Sequence, residues 1–288
     1  MNKRFTAVFG TARTEYVKWL TNPRNILIFV MVIFAKTMAL DPLFEKAEKF
    51  GSKIGILEPF AAVGNSTLLI MFLPAVYLVL MSDFPKFDGA SLFSISRVGK
   101  REWLFGQILF AVMSTLTYIL AMFVFISVFS LGSAELFLSW SDCTRYYIAK
   151  FPEEAASFAV RLLPSNLYNQ IELVPAVLHT FFLLFMHLFS LSLILLNFKI
   201  SSMKNAGLFA NLTVIALGFV TCITNTKIMW AFPMANSIIR FHYTEILREP
   251  IMPIGFSYAY FAVMIILLII TAMFVVKKSN FITEADNG

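Results

Sequence analysis

Six apolar stretches, at 25–40, 59–81, 103–131, 174–196, 206–224 and 257–276, dominate this chain of 288 residues. Crossing the ~30 Å hydrocarbon layer takes about 20 helical residues, and lipid offers no partner to an unpaired backbone group. The pattern therefore predicts an all-α polytopic membrane protein with six transmembrane helices. Composition agrees, since 59% of the residues are hydrophobic and 14% charged, at a mean hydropathy of +0.77. Soluble domains run nearer ~45–50% and ~25%. A cytosolic enzyme, a disordered chain and a disulfide scaffold are excluded. The first stretch is short, and Asp41, Pro42, Leu43 and Phe44 prolong it, with Lys36 snorkelling to the headgroups. Pro74 lies inside the second stretch and predicts a kink there.

The flanking charges set the orientation. With the N-terminus inside, segments 1–24, 82–102, 197–205 and 277–288 carry 13 Lys and Arg in 66 residues. Segments 41–58, 132–173 and 225–256 carry 9 in 92. Basic residues gather on the cytoplasmic side, so both termini are expected there, in a plasma-membrane protein. The net charge of +6 has the same reading, and nucleic acid is not an expected partner. Gly10, Arg13, Glu15 and Lys18 interrupt any signal-peptide core.

Within 1–24, Phe5, Val8, Phe9, Ala12, Tyr16, Trp19 and Leu20 recur at helical spacing and avoid the cations. This predicts an amphipathic helix lying in the membrane interface. Thr21, Asn22 and Pro23 then turn the chain inward. Two more amphipathic candidates lie in the expected extracellular loops: 146–163, broken by Pro152, and 234–247. No repeat or linker divides the chain, so 1–288 reads as one domain.

Familiar catalytic patterns are missing. The sequence has no G-x-x-x-x-G-K-[ST] loop to hold ATP, no H-E-x-x-H and no G-x-S-x-G. Glu153-Glu154 resembles the glutamate pair of intramembrane prenyl-protein proteases, but Phe158 stands where those carry Arg, and the accompanying His pattern is absent. Cys143 and Cys222 are too few for a thiolate metal site and are expected to be unpaired. No metal or cofactor is expected on the chain. His179 and His187 lie on related faces of the fourth stretch, with Ser190 and Ser192 as polar company. They are substrate-contact candidates, weighed against plain hydrogen-bonded packing.

The informative segment is the loop 82–102. Asp88 and Gly89 make a turn, and 90–95 is an apolar helix too short to span a membrane. A basic turn follows at Arg97, Lys100 and Arg101, and Glu102 opens the third stretch. Such an element suits docking of a soluble partner, with Leu92, Phe93 and Ile95 in a groove and the cations setting orientation. Lying on anionic lipid is the competing use.

This loop resembles the coupling loop of permease subunits of type-2 ABC exporters. Asp83 or Asp88 with Gly89, the run Ser94 to Arg97, then Lys100, Arg101, Glu102 and Gly106 stand at matching places. Gln107 replaces that family's usual Lys. Glu15 to Arg24 is similar to the family's interface helix and turn, and Lys277, Lys278 and Phe281 to its ending. The resemblance implies a permease subunit of an ATP-driven exporter, without an ATPase site of its own. It would work with a second permease, identical or paralogous, and with separate ATPase subunits that hold ATP and Mg and dock at Asp88 to Glu102. A hydrophobic or amphipathic substrate, such as a drug, an antimicrobial peptide or a lipid-like molecule, is implied by the aromatic-rich stretches. The alternative is a non-transporting scaffold or sensor.

Overall fold

A computed structural model describes residues 3–87, 89–203, 205–244 and 249–279. It is an all-α protein. Five helices are long and apolar enough to cross a membrane: α2 (Pro23–Phe50), α6 (Lys100–Ser130), α10 (Leu173–Ile200), α11 (Ala206–Ile223) and α13 (Ile254–Lys278). A sixth passage would be the bent pair α3 (Glu58–Asn65) and α4 (Thr67–Leu80), whose axes meet at 83°. Shorter helices are α1 (Lys3–Leu20), α5 (Gly89–Val98), α7 (Asp142–Lys150), α8 (Phe158–Leu162), α9 (Ser165–Tyr168) and α12 (Pro233–Ser237). Two short parallel strands, β1 (Ile54–Gly55) and β2 (Ala134–Glu135), pair Ile54 with Ala134 at the bundle end opposite α5.

The first stretch is longer than expected. Asn22 caps it by accepting from the Arg24 N–H, and Pro23 suits the first turn. The helix then runs to Phe50, where Gly51 stops it at φ 84°. Within it lies a π-helical turn, Lys36–Leu40, and Lys36 Nζ reaches Asp41 Oδ1 at 2.6 Å. Lys36 thus pairs along its own helix.

The kink expected at Pro74 is not where the second stretch breaks. Pro74 lies inside an unbroken α4, which membrane helices tolerate. The break is at Ser66, whose ψ of 118° takes it out of the helix. Asn65 Nδ2 donates to the Ala61 carbonyl at 2.8 Å, one turn back along α3. Close packing fixes the angle, since a Cβ on Gly64 would stand 2.0 Å from Thr180 Cγ2 on α10.

α10 is the central helix, with 67% of its most apolar window buried against 17% for α13. Tyr77 of α4 ties the centre together. Its hydroxyl lies 2.6 Å from Thr115 Oγ1 on α6 and 2.7 Å from Ser192 Oγ on α10. Asn211 Nδ2 donates to Leu191 O and Asn197 Nδ2 to Leu268 O, joining α11 and α13 to α10. Side-chain amides and hydroxyls often join helices in a medium where hydrophobic burial between helices is weak. The exposed line Leu116, Leu120, Val124 and Val128 on α6 is the complementary, lipid-compatible surface.

The amphipathic candidates fare differently. α1 forms, but it is not a free-standing surface helix. It runs beside the first half of α6 in the same direction, pairing Arg4 with Glu102 and Tyr16 with Thr117. Ala12 and Trp19 are buried there, while Phe5, Phe9 and Leu20 stay exposed. The candidate at 146–163 divides at Phe151 and Pro152 into α7, a turn and α8. The one at 234–247 is no single helix: α12 and a 3-10 turn, Ile239–His242, divide it, and 245–247 lie outside the described residues. The expected loop 225–256 also folds into the bundle, since Pro233 to Ile239 are all buried.

Candidate functional site

α5 leaves α4 through residues 81–88 and rejoins the bundle through one residue, Gly99. Its φ of 98° and ψ of 151° favour glycine, and its N–H still reaches Ile95 O at 2.9 Å. The basic turn expected at 97–101 is therefore one residue wide, with Arg97 on α5 and Lys100 and Arg101 on α6.

Between α5 and α1 lies an open cleft of about 990 Å³. Phe93, Ser94, Arg97 and Val98 line one wall, and Arg4, Thr11, Glu15 and Lys18 the other, with Glu102 at the base. The α1 wall was not assigned to a site from the sequence. Its signal is Gly106, because a Cβ there would stand 2.7 Å from Thr11 Cβ and 3.2 Å from Val8 O. This glycine lets α1 close on α6 and makes the far side of the cleft.

The three expected anchors differ in exposure. Phe93 is 67% exposed at the cleft, Leu92 is half-buried, and Ile95 is 7% exposed and belongs to the chain's own core. Helical spacing accounts for this: positions 92 and 95 share the face toward α6, and 93 points away. Gly89 begins α5 with open space around it, and Asp88 lies outside the described residues. Asp83, its alternative, accepts from Arg24 Nη1 at 2.7 Å.

The basic residues divide as well. Arg97 is exposed at the cleft. Arg101 is exposed with its guanidinium 5.8 Å from the Phe105 ring centre. Lys100 turns inward, its Nζ donating to Ser279 O at 2.7 Å, and Glu102 lies 3.8 Å from Arg4. Gln107 is buried, and neither its side-chain oxygen nor its nitrogen has a partner among the described residues.

The histidines have separate surroundings. His179 Nδ1 lies 2.9 Å from the Tyr258 hydroxyl, and His187 Nδ1 lies 3.2 Å from Ser237 Oγ. The expected serine company is different: Ser190 bonds the His187 backbone carbonyl, and Ser192 bonds Tyr77. No metal-binding group of His, Cys, Asp and Glu occurs among the described residues. Both cysteines are buried and unpaired. Burial pushes the Cys143 thiol up to about 11, against the nearby Lys46 charge.

At the end opposite α5, Glu58 is fully buried. It accepts from the Ser141 N–H at 2.5 Å, Ser141 Oγ at 3.1 Å and Thr144 Oγ1 at 2.6 Å. This knot joins α3 to α7. Glu154, in the turn after α7, accepts from Lys49 and Tyr147, and these bonds hold its carboxyl below the usual range.

No protein family, characterised protein or solved structure matches the chain.

Proposed function

We propose that the chain is a six-span permease subunit of an ATP-driven ABC exporter. The bent pair α3 and α4 would make the second span, and α5 would be the element that a separate ATPase subunit engages. Both termini would lie in the cytoplasm of a plasma-membrane protein. A second permease, identical or paralogous, completes the transporter, ATP and Mg stay on the ATPase, and the cargo is hydrophobic or amphipathic.

One observation carries this reading. A short helix hangs between two long ones and offers an exposed Phe93 beside a charged cleft. An aromatic anchor ringed by charge is the composition of an interface hot spot. Phe93 makes no comparable packing in the chain's own core, so it is free to enter a partner.

The test is reconstitution with a Walker-motif ATPase, sought first in the reading frames beside this gene, where its absence would favour the scaffold. Phe93→Ala should weaken ATPase binding about tenfold or more and depress substrate-stimulated hydrolysis, with the thermal midpoint unchanged. Leu92→Ala is a second probe. Wild-type assembly and hydrolysis in both variants would overturn the docking assignment. A scaffold, the rival reading, would bind its partner without stimulating ATP hydrolysis.

A further inference from the structure

The cation least accounted for is Arg240. It lies in the 3-10 turn Ile239–His242, between buried Ile239 and a His242 that is 0% exposed. Three elements hold it. Its N–H donates to Asn65 Oδ1 at 3.0 Å, its Nη2 to Thr67 Oγ1 at 2.6 Å, and its carbonyl accepts from Asn166 Nδ2 at 2.8 Å. The guanidinium also lies 5.0 Å from the Phe241 ring centre. Its head is thereby fixed against the break between α3 and α4.

Among the described residues no carboxylate lies within ion-pair distance of Arg240, and its Nε is buried without a partner. The carbonyl end of α3 supplies only about half an elementary charge at best. A charged side chain among apolar helices is costly unless a counter-charge meets it. Here the cation is also held in place rather than turned out to water.

We infer that Arg240 binds the phosphate group of an anionic ligand at the break between α3 and α4. Phosphate suits the fork of a guanidinium, and the first amides of α4, beginning at Thr67, have no helical acceptor of their own. Arg240 is partly exposed, so an anion can approach it from the bundle surface. The source is either a phospholipid headgroup or free phosphate. The site does not depend on the exporter reading and is tested without transport.

The measurement uses the full chain in dodecyl maltoside, with its thermal midpoint followed by tryptophan fluorescence. It is titrated with phosphatidylglycerol against phosphatidylcholine of the same chains, and with potassium phosphate against potassium chloride. The wild type should be stabilised by phosphatidylglycerol beyond phosphatidylcholine. Half-saturation should move up about tenfold or more in Arg240→Gln and stay put in Arg161→Gln, which removes an exposed cation. A matching response to potassium phosphate assigns the site to free phosphate, and a response to the lipid alone assigns it to a headgroup; both support an anion site. Should Arg240→Gln fail to fold, Thr67→Val keeps the charge but removes the hydroxyl that aims it, and half-saturation should still rise severalfold. The inference is overturned if either folded variant titrates like the wild type, or if the wild type responds to neither anion beyond its control.

Discussion

Lys100 Nζ donates to the backbone carbonyl of Ser279 at 2.7 Å, which pins the first residue of α6 to the end of α13. Ser279 Oγ in turn donates to Ile200 O at 2.9 Å, so α10 is held at the same point. Three long helices end in one small knot beside α5. The cation expected to set a partner's orientation is here bonded within the chain. Lys100→Met should lower stability by about 1.5–3 kcal/mol, the range for a hydrogen bond to a charged group, and leave ATPase binding within about twofold. Thermal unfolding and a binding titration check it, and a binding loss equal to that of Phe93→Ala would contradict it.

Ile95 and Phe93 should separate cleanly. Ile95→Ala removes a buried side chain and should cost about 2–5 kcal/mol. Phe93→Ala removes one that is 67% exposed and should leave the unfolding midpoint within the scatter of surface substitutions. Equal midpoints in the two variants would contradict the assignment of opposite faces.

Gly64 and Thr180 offer a double-mutant test of the bend. Gly64→Ala brings a Cβ within 2.0 Å of Thr180 Cγ2 and should destabilise by about 1–3 kcal/mol. Thr180→Ser removes that methyl, keeps the hydroxyl, and should restore most of the loss. A pair of variants whose costs simply add would place the contact elsewhere.

The Glu154 tie predicts a pH response. Lys49 and Tyr147 hold its folded carboxyl below the ordinary range, so the tie contributes stability above that range and loses it as pH falls through the lowered value. Relative to the intrinsic amide exchange rate at each pH, protection along α7 and the following turn should fall in acid, and Glu154→Gln should already show the lower protection at neutral pH. An acid response in the variant as large as in the wild type would assign the effect to another group.

Cys143 is expected to resist thiol reagents. Its thiol is buried and pushed up to about 11, so at pH 7.5 little thiolate exists and little of it is reachable. N-ethylmaleimide should label it only after unfolding. Rapid labelling of the native protein would refute the packing around Lys46 and Glu58.

What was legible in the sequence was what depends on composition along one dimension. Long apolar runs gave the five spanning-length helices, and Asn22 and Pro23 mark the start of the first, whereas its end at Gly51 lies beyond the apolar run and was missed. Contacts between distant segments were not legible. Pro74 reads as a kink because proline lacks an N–H, but the bend formed where Gly64, Asn65 and Arg240 meet other helices. Ile95 and Phe93 look alike as apolar residues, and only their registry against α6 separates a core residue from an exposed one. Lys100 and Arg240 are both cations in a basic chain, yet one is bonded to a carbonyl 179 positions away and the other is embedded at a helix break. The α1 wall of the cleft was foreshadowed only by Gly106, whose meaning depends on which helix passes over it.

The single residue of slack at Gly99 makes α5 and α6 the two arms of a crank. From Phe93 to Gly99 is about 9 Å of helix, whereas α6 is 31 residues and about 46 Å long. Were the two helices to turn as one rigid body about that point, 1 Å at Phe93 would become about 5 Å at the far tip, beside β2. The same leverage divides force by five. A load at Phe93 would therefore need little travel and much force to move the far end.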